Sequence, residues 1–337
     1  MTLWIKHTKA ERIAMLQRAE EKFGINQVAL EKDWWVTVVL NALFRCSCAE
    51  QLIFKGGTSL SKGWSLIERF SEDIDLSINH EFFGIEKTSK NQREKLRRKA
   101  RRYILDTVSS ELETNLKEIG VKGFRIEGVL EEIDVDGNSR MVASDKDPSV
   151  ILVHYESVLG FNIEYIPSSV KIEISCLSMN EPTENRLISS YVEQTFPGED
   201  DSASATIRTV SPVRTFLEKA FLLCEEFQRP VPRHVRMSRH LYDLERLMDT
   251  EFGRQALQDN SLYERIVKHR SVYYAVGRVD YSKLMPGEID FVPRPEIMQD
   301  WKADYKDMCD HFIYGSTLSF EKLLERIKDL QDRFRML

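Results

Sequence analysis

The sequence predicts an α+β protein with two domains. Its 337 residues suit two domains of about 100–200 residues each. Segments with strand and helix patterns are mixed up to about residue 195, whereas helical periodicity dominates after Ser211. Between them, residues 196–205 are rich in Pro, Gly, Asp and Ser, which indicates a loop. We therefore predict a first domain over 1–205, with a mixed, twisted β-sheet flanked by helices, and a mostly α-helical domain over 206–337.

Local signals place the helices of the first domain. Thr8 and Glu11 have the spacing of a capping box, and Gly24 is a natural helix end. Asn26 is a suitable cap for a second helix. Helices are predicted at 8–24, 26–44, 58–66 and 89–119.

Alternation of apolar and polar residues, together with runs of β-branched residues, predicts the strands. They are expected at 51–55, 73–79, 121–130, 139–143, 151–155, 161–166 and 170–177. In the second domain, Ser211 and Pro212 form a typical helix start. Helices are expected there at 213–227, 237–250, 261–269, 295–313 and 319–336.

Composition excludes several classes of protein. With 42% hydrophobic residues, 15 Gly and 10 Pro, the chain is neither disordered nor collagen-like. The net charge of −6 argues against a generally basic nucleic-acid coat protein. Five cysteines suit a reducing compartment, and no His lies near Cys46 and Cys48 to complete a zinc site. Without a signal-peptide pattern or a membrane-length apolar run, a cytoplasmic protein with no membrane partner is expected.

A glycine pair follows the first predicted strand and precedes a helix. Gly56 and Gly57 allow the backbone to approach a ligand closely. The free N–H groups of the helix start, with the hydroxyls of Thr58, Ser59 and Ser61, form a plausible phosphate cradle. The spacing is not that of a Walker A loop.

Asp73 and Asp75 lie two residues apart on a predicted strand, so their side chains share one face. Carboxylates this close favour a cation between them, and hard oxygen ligands suit Mg²⁺ or Mn²⁺. Glu173, on a later strand, is a candidate third carboxylate, and Glu127 is a rival for that position. The alternative for Asp73 and Asp75 is the solvated face of an edge strand.

A basic segment stands out in this acidic chain. Residues 87–102 contain nine Lys and Arg residues, counted from Lys87 to Arg102, and could bind a phosphodiester backbone. The candidate RNA-binding residues are Arg97, Arg98, Arg101 and Arg102. The alternative is a solvated helix face.

The glycine and aspartate motifs together resemble a known family. Residues 54–62 read Phe-Lys-Gly-Gly-Thr-Ser-Leu-Ser-Lys and residues 70–76 read Phe-Ser-Glu-Asp-Ile-Asp-Leu. This pattern resembles the AbiEii/AbiGii toxin family, which includes MenT-type toxins, within the DNA-polymerase-beta-like nucleotidyltransferase superfamily. Segments 30–36, 214–219, 239–244 and 301–308 are also similar to that family.

The resemblance implies a metal-dependent nucleotidyltransferase toxin of a bacterial toxin–antitoxin or abortive-infection (phage defence) system. It would transfer NMP from an NTP to RNA, with the tRNA 3′ end as the expected acceptor, and its antitoxin would be encoded separately. Mg²⁺ or Mn²⁺ would be held by Asp73 and Asp75. The nucleotide would contact Gly56, Gly57, Thr58, Ser59 and Lys62, and Glu173, Lys219 and Asp243 would complete the catalytic set.

Alternatives remain open at this stage. Lys62 could be a lysine on the helix surface, Lys219 could have no contact with nucleotide, and Asp243 could be a buried acid paired with an arginine such as Arg239 or Arg246. The same site could nucleotidylate a protein side chain. A nucleotide- or RNA-binding module without turnover is the third possibility.

Overall fold

A computed structural model describes residues 3–85, 89–133, 137–160 and 167–337. The chain divides into two compact units. The described residues of the first fall within Met1–Gly63 and Glu72–Thr209, and those of the second within Trp64–Ser71 and Val210–Leu337. The predicted limits of independent domains, 1–205 and 206–337, stay a prediction.

A seven-stranded mixed sheet forms the centre of the first unit, in the order β3-β6-β7-β2-β1-β9-β8. Strand β2 pairs antiparallel with β1 and parallel with β7, and β1 pairs parallel with β9. A separate hairpin joins β4 and β5. The strands are β1 (Leu52–Lys55), β2 (Ile74–Ile78), β3 (Phe124–Gly128), β4 (Glu131–Ile133), β5 (Ser139–Met141), β6 (Ser149–Tyr155), β7 (Ser169–Ser175), β8 (Thr183–Ser189) and β9 (Ser204–Val210).

Helices flank this sheet, which confirms the α+β class. Thr8 and Glu11 form the expected capping box, and Gly24 ends the first helix in the left-handed conformation. Asn26 caps the second helix through Ala29 N–H. The helices of the first unit are α1 (Lys9–Phe23), α2 (Gln27–Leu43), α3 (Gly56–Lys62), α4 (Lys90–Tyr103), α5 (Ser109–Ile119) and α6 (Tyr191–Thr195). A π-helical turn, Ile104–Val108, connects α4 to α5 within the long helix predicted at 89–119.

The two faces of the central strands have different environments. Ile74 and Leu76 on β2, and Ile172 and Ile174 on β7, are completely buried. Asp73 and Asp75, which flank Ile74, and Lys171 and Glu173, which flank Ile172, are only half-buried. Because alternate strand residues point to opposite faces, the sheet has one apolar face and one polar, more open face.

The second unit is mainly helical, as predicted. Ser211 caps its first long helix and Pro212 occupies the first position. The helices are α7 (Pro212–Phe227), α8 (Ser238–Met248), α9 (Glu251–Gln258), α10 (Asn260–His269), α11 (Met298–His311) and α12 (Phe320–Arg335). Segment Trp64–Ser71 also belongs to this unit, where Phe70 N–H donates to the Phe312 carbonyl over 2.6 Å.

Strands β8 and β9 were not predicted from the sequence. The turn residues around Pro197 and Gly198 indicate a loop, and β9 begins at Ser204, inside the segment assigned to that loop. Tertiary pairing with β1 fixes β9 as a strand.

The strand predicted at 161–166 lies outside the described residues. Within the described ranges, no helix has the length and apolar character needed to cross a membrane.

Candidate active site

Three neighbouring strands place Lys55, Asp75 and Glu173 in one row of the sheet. Asp75 on β2 is paired in register with Lys55 on β1 and with Glu173 on β7. Neighbouring strands lie about 4.8 Å apart, and directly paired residues point to the same face. The carboxylates of Asp75 and Glu173 therefore start from adjacent backbone positions on the polar face.

Asp73 joins this group from the residue before β2. Asp73 and Asp75 are both half-buried, whereas the intervening Ile74 is fully buried, so the two aspartates share the polar face as the alternation predicts. The Thr58 hydroxyl donates to the Asp73 carbonyl over 2.5 Å. This bond ties the backbone ahead of β2 to α3.

Glu127, the rival third carboxylate, lies far from Asp75. It is on β3, which is separated from β2 by β7 and β6, a displacement of about 14 Å at the usual strand spacing. Its carboxylate pairs with Arg125 at 2.7 Å and contacts His154 at 3.1 Å. Of the two rivals, only Glu173 stands beside Asp75.

Gly56 lies directly against the Asp75 carboxylate. A Cβ added at Gly56 would come within 2.1 Å of Asp75 Oδ2, and Gly56 has a φ of +77°. Both the left-handed backbone and the lack of space require glycine at this position. The turn from β1 into α3 can therefore approach the aspartates more closely than any side chain would allow.

Substitution of this glycine should misplace the acid. We expect Gly56→Ala to lower nucleotide transfer by at least about 100-fold, because displacement of a catalytic group by about 1 Å can have that effect. Steady-state transfer assays with a circular-dichroism check of folding would measure it. Gly277→Ala is the control, since a Cβ there meets nothing within 4 Å. Wild-type activity in Gly56→Ala would contradict the close packing of Gly56 on Asp75.

The serine hydroxyls of α3 form hydrogen bonds within the helix. Thr58 and Ser59 are fully buried. Ser59 donates to the Gly56 carbonyl over 2.9 Å, and Ser61 donates to the Thr58 carbonyl over 3.1 Å. These bonds hold the turn in shape, and the predicted contacts of Thr58 and Ser59 with nucleotide stay a prediction.

Lys62, at the end of α3, is held by the buried Asp33 and by a backbone carbonyl. Its ammonium group forms an ion pair with Asp33 of α2 and donates to the Ser189 carbonyl over 3.1 Å. Asp33 also accepts the Tyr191 N–H over 2.8 Å, and the Lys62 ammonium lies 5.4 Å from the Tyr191 ring centre. Lys62 therefore ties α3 to α2 and α6, and its contact with phosphate stays a prediction.

Lys171 is a charged residue of the site that the sequence analysis did not select. It forms an ion pair with Glu173, two residues further along β7. Burial alone would lower the pKa of Lys171, but Glu173, followed by Asp73 and Asp75, raises it above its usual value. The alternation that selected Glu173 also places Lys171 on the polar face, so the sequence pattern could have identified Lys171.

Among the described residues, no three Asp, Glu, His or Cys side chains form a ready metal cluster.

In the second unit, Asp243 is the centre of a buried charge cluster. Arg69 donates two hydrogen bonds to it, over 2.7 and 2.8 Å, and Lys219 pairs with it at 2.8 Å. Burial favours the neutral acid, but the charges of Arg69 and Lys219 outweigh burial and hold the pKa of Asp243 below its usual value. The alternative of a buried acid paired with an arginine thus describes Asp243, and Arg69 is an arginine that pairs with it.

The basic helix α4 presents only part of its charge to solvent. Arg97 pairs with Asp145 at 2.8 Å, and Arg101 is buried with its guanidinium on the Val129 carbonyl. Arg98 and Arg102 are exposed. The two halves of the predicted RNA-binding set therefore have different surroundings.

Comparison with known proteins identifies the family of this chain. The model of the family described as "Nucleotidyl transferase AbiEii toxin, Type IV TA system" matches residues 38–326, and a search of curated proteins gave no match. Among solved structures, the chain is similar to MenT4, a nucleotidyltransferase toxin from Mycobacterium tuberculosis H37Rv. The identity is 16% and the TM-score 0.42, over 98% of this chain and 99% of that one. Because the family model covers most of the chain, the resemblance to the AbiEii family is confirmed. The protein belongs to the AbiEii family and is a nucleotidyltransferase toxin of a type IV toxin–antitoxin system, with an NTP as substrate and a cognate antitoxin.

Proposed function

We propose that this nucleotidyltransferase moves NMP from an NTP onto the 3′ end of a tRNA, with a divalent metal ion held by Asp73 and Asp75. The observation that carries the proposal is the convergence of Asp73, Asp75 and Glu173 on one polar sheet face. Gly56 lies beside that face without a side chain. A nucleotide phosphate could lie against this turn close to the acids.

The residues present fit a hard divalent cation. Asp73 and Asp75 supply carboxylate oxygens, the ligands that Mg²⁺ and Mn²⁺ prefer. The Lys171 ammonium already pairs with Glu173 beside these aspartates, and the negative charges of Asp73 and Asp75 attract it. The surroundings of the acids therefore favour a positive charge. When bound, the ion would neutralise negative charge on the reacting phosphates.

Glu173 is the proposed proton acceptor. In the reaction, the acceptor hydroxyl loses its proton to Glu173 as its oxygen forms a bond to the α-phosphorus, and the bond from that phosphorus to pyrophosphate breaks. Glu173 stands one strand from Asp75, close enough for a hydroxyl positioned there. The predicted roles of Lys219 and Asp243 in this step stay predictions.

The acceptor is proposed to be RNA because α4 presents exposed arginines. Arg98 and Arg102 lie four residues apart, on one side of the helix. Replacing both by glutamine should weaken tRNA binding and lower the slope of log affinity against log salt by about 1.5, since each phosphate contact contributes about 0.7–0.9. Arg18→Gln combined with Arg265→Gln, a change of two exposed arginines elsewhere, is the matched control. An unchanged slope would make α4 a solvated face.

Transfer of labelled nucleotide decides between acceptors. Each of the four α-labelled NTPs is incubated with the protein, Mg²⁺ and either total small RNA or total protein. Label in RNA of tRNA size, located at the 3′ end by mass analysis, is the expected result. Label in protein would instead show nucleotidylation of a side chain, and bound nucleotide with no transfer would show a binding module.

The biological consequence follows from the acceptor. A tRNA with an added 3′ nucleotide cannot be aminoacylated normally, so growth would stop. We propose that the toxin acts in the cytoplasm, where tRNA is found, and that a separately encoded antitoxin prevents the arrest. Expression of the toxin alone should therefore stop growth, and aminoacylation of extracted tRNA should fall.

A further inference from the structure

We propose that Lys171 is a displaceable internal countercation of the metal site, which occupies the carboxylate group until a metal ion arrives with the nucleotide. The inference rests on the proposed metal role of Asp73 and Asp75. It assigns a positioning role to a lysine that neither the motifs nor the family comparison singles out.

The first observation is the placement of Lys171 among the acids. Lys171 and Glu173 are two residues apart on β7, so they share the polar face. Their ammonium and carboxylate groups form a direct ion pair. Glu173 is in turn the register partner of Asp75, and the charges of Asp73 and Asp75 act on the same ammonium group.

The second observation is the balance of charge. Asp73, Asp75 and Glu173 bring three negative charges to adjacent positions, where they repel one another. An ammonium group relieves this repulsion in the absence of metal. Once a divalent ion binds, the ammonium and the ion repel each other instead, which favours departure of the lysine.

The third observation is the freedom of the side chain to leave. The Lys171 side chain is 42% exposed, whereas those of Lys62 and Lys219 are 4% and 7% exposed in their ion pairs. Its flexible four-carbon stem can carry the ammonium into water at little cost. Departure of Lys171 from its ion pair therefore needs less rearrangement of neighbouring groups than departure of Lys62 or Lys219.

This arrangement predicts weak binding of free metal. A metal ion held by Asp73 and Asp75 would be repelled by the nearby Lys171 ammonium, and this repulsion is offset when the NTP phosphates add negative charge. The protein should thus bind metal and nucleotide together rather than metal first. Free Lys171 would then be able to pair with phosphate oxygens of the nucleotide.

The test measures Mn²⁺ binding without nucleotide, using electron paramagnetic resonance of the free ion. Lys171→Met is expected to bind Mn²⁺ about tenfold more tightly than the wild type, since one nearby positive charge is lost. Lys171→Arg, which keeps the charge, should stay within about twofold of the wild type. Lys122→Met is the matched control, because it removes one exposed lysine just before β3, which is separated from β2 by two strands.

The outcomes separate this inference from the proposed function. Mn²⁺ affinity in Lys171→Met that equals the wild type, or falls below it, would overturn the countercation role. The same experiment on Asp75→Asn should show loss of Mn²⁺ binding. If Asp75→Asn binds Mn²⁺ as tightly as the wild type does, the proposed metal site itself is wrong, whatever the result for Lys171→Met. Lys171→Gln gives a second neutral variant, and thermal unfolding confirms that each variant is folded.

Discussion

Asp75→Asn is expected to lower nucleotide transfer by at least about 1,000-fold while the protein remains folded. The substitution removes a carboxylate that we assign to the metal ion, whose stabilisation of the reacting phosphates is worth several kcal/mol, and each 1.4 kcal/mol is a factor of ten in rate. Asn keeps the size of the side chain against Gly56. Transfer of labelled NMP to small RNA is the measurement.

Two comparisons make this result specific. Asp332→Asn changes an exposed aspartate on α12 and should leave transfer unchanged. The melting temperature of Asp75→Asn should lie within a few degrees of the wild type, since Asp75 is only half-buried. More than about a tenth of wild-type transfer in Asp75→Asn would contradict its assignment as a metal ligand.

Asp243→Ala is expected to reduce the free energy of unfolding by about 3–5 kcal/mol, because it leaves two buried cations without their partner. Arg69 and Lys219 are both nearly inaccessible, and Asp243 is fully buried between them. Urea unfolding followed by circular dichroism measures the effect. The control is Asp249→Ala: Asp249 also pairs with two arginines but is 51% exposed, so its loss should cost about 1 kcal/mol or less.

The pH dependence of the same residue has a definite sign. The pKa of Asp243 is lowered in the folded protein: burial opposes this shift, but the Arg69 and Lys219 charges exceed it. The ionised acid therefore contributes its full stability above the unfolded pKa of about 3.9, and this contribution is lost as pH falls toward the folded pKa. The stability difference between the wild type and Asp243→Asn should shrink below about pH 4. A constant difference between pH 6 and pH 3 would contradict the ion pairing.

Local sequence rules were sufficient for the residues that we place at the metal. Asp73 and Asp75 share a face because strand residues alternate, and Gly56 is recognisable because glycine alone suits a tight turn after a strand. The caps at Thr8 and Ser211 follow equally local rules, and the structure has both.

Partners distant in sequence could not be predicted in the same way. Arg69 and Asp243 are 174 positions apart, and only tertiary packing brings Trp64–Ser71 into the second unit. The pairing of Lys62 with Asp33 is equally non-local. Charge counting selected α4 as a whole, but it could not tell that Arg101 would be buried while Arg102 stays exposed.

The position of the metal ion tests the account most directly. We would crystallise the protein with Mn²⁺ and a non-hydrolysable NTP analogue and locate the ion by its anomalous scattering. We expect one Mn²⁺ within about 2.0–2.3 Å of carboxylate oxygens of both Asp73 and Asp75, with the analogue's phosphates beside Gly56. A nucleotide-bound crystal in which Mn²⁺ contacts neither aspartate would contradict it.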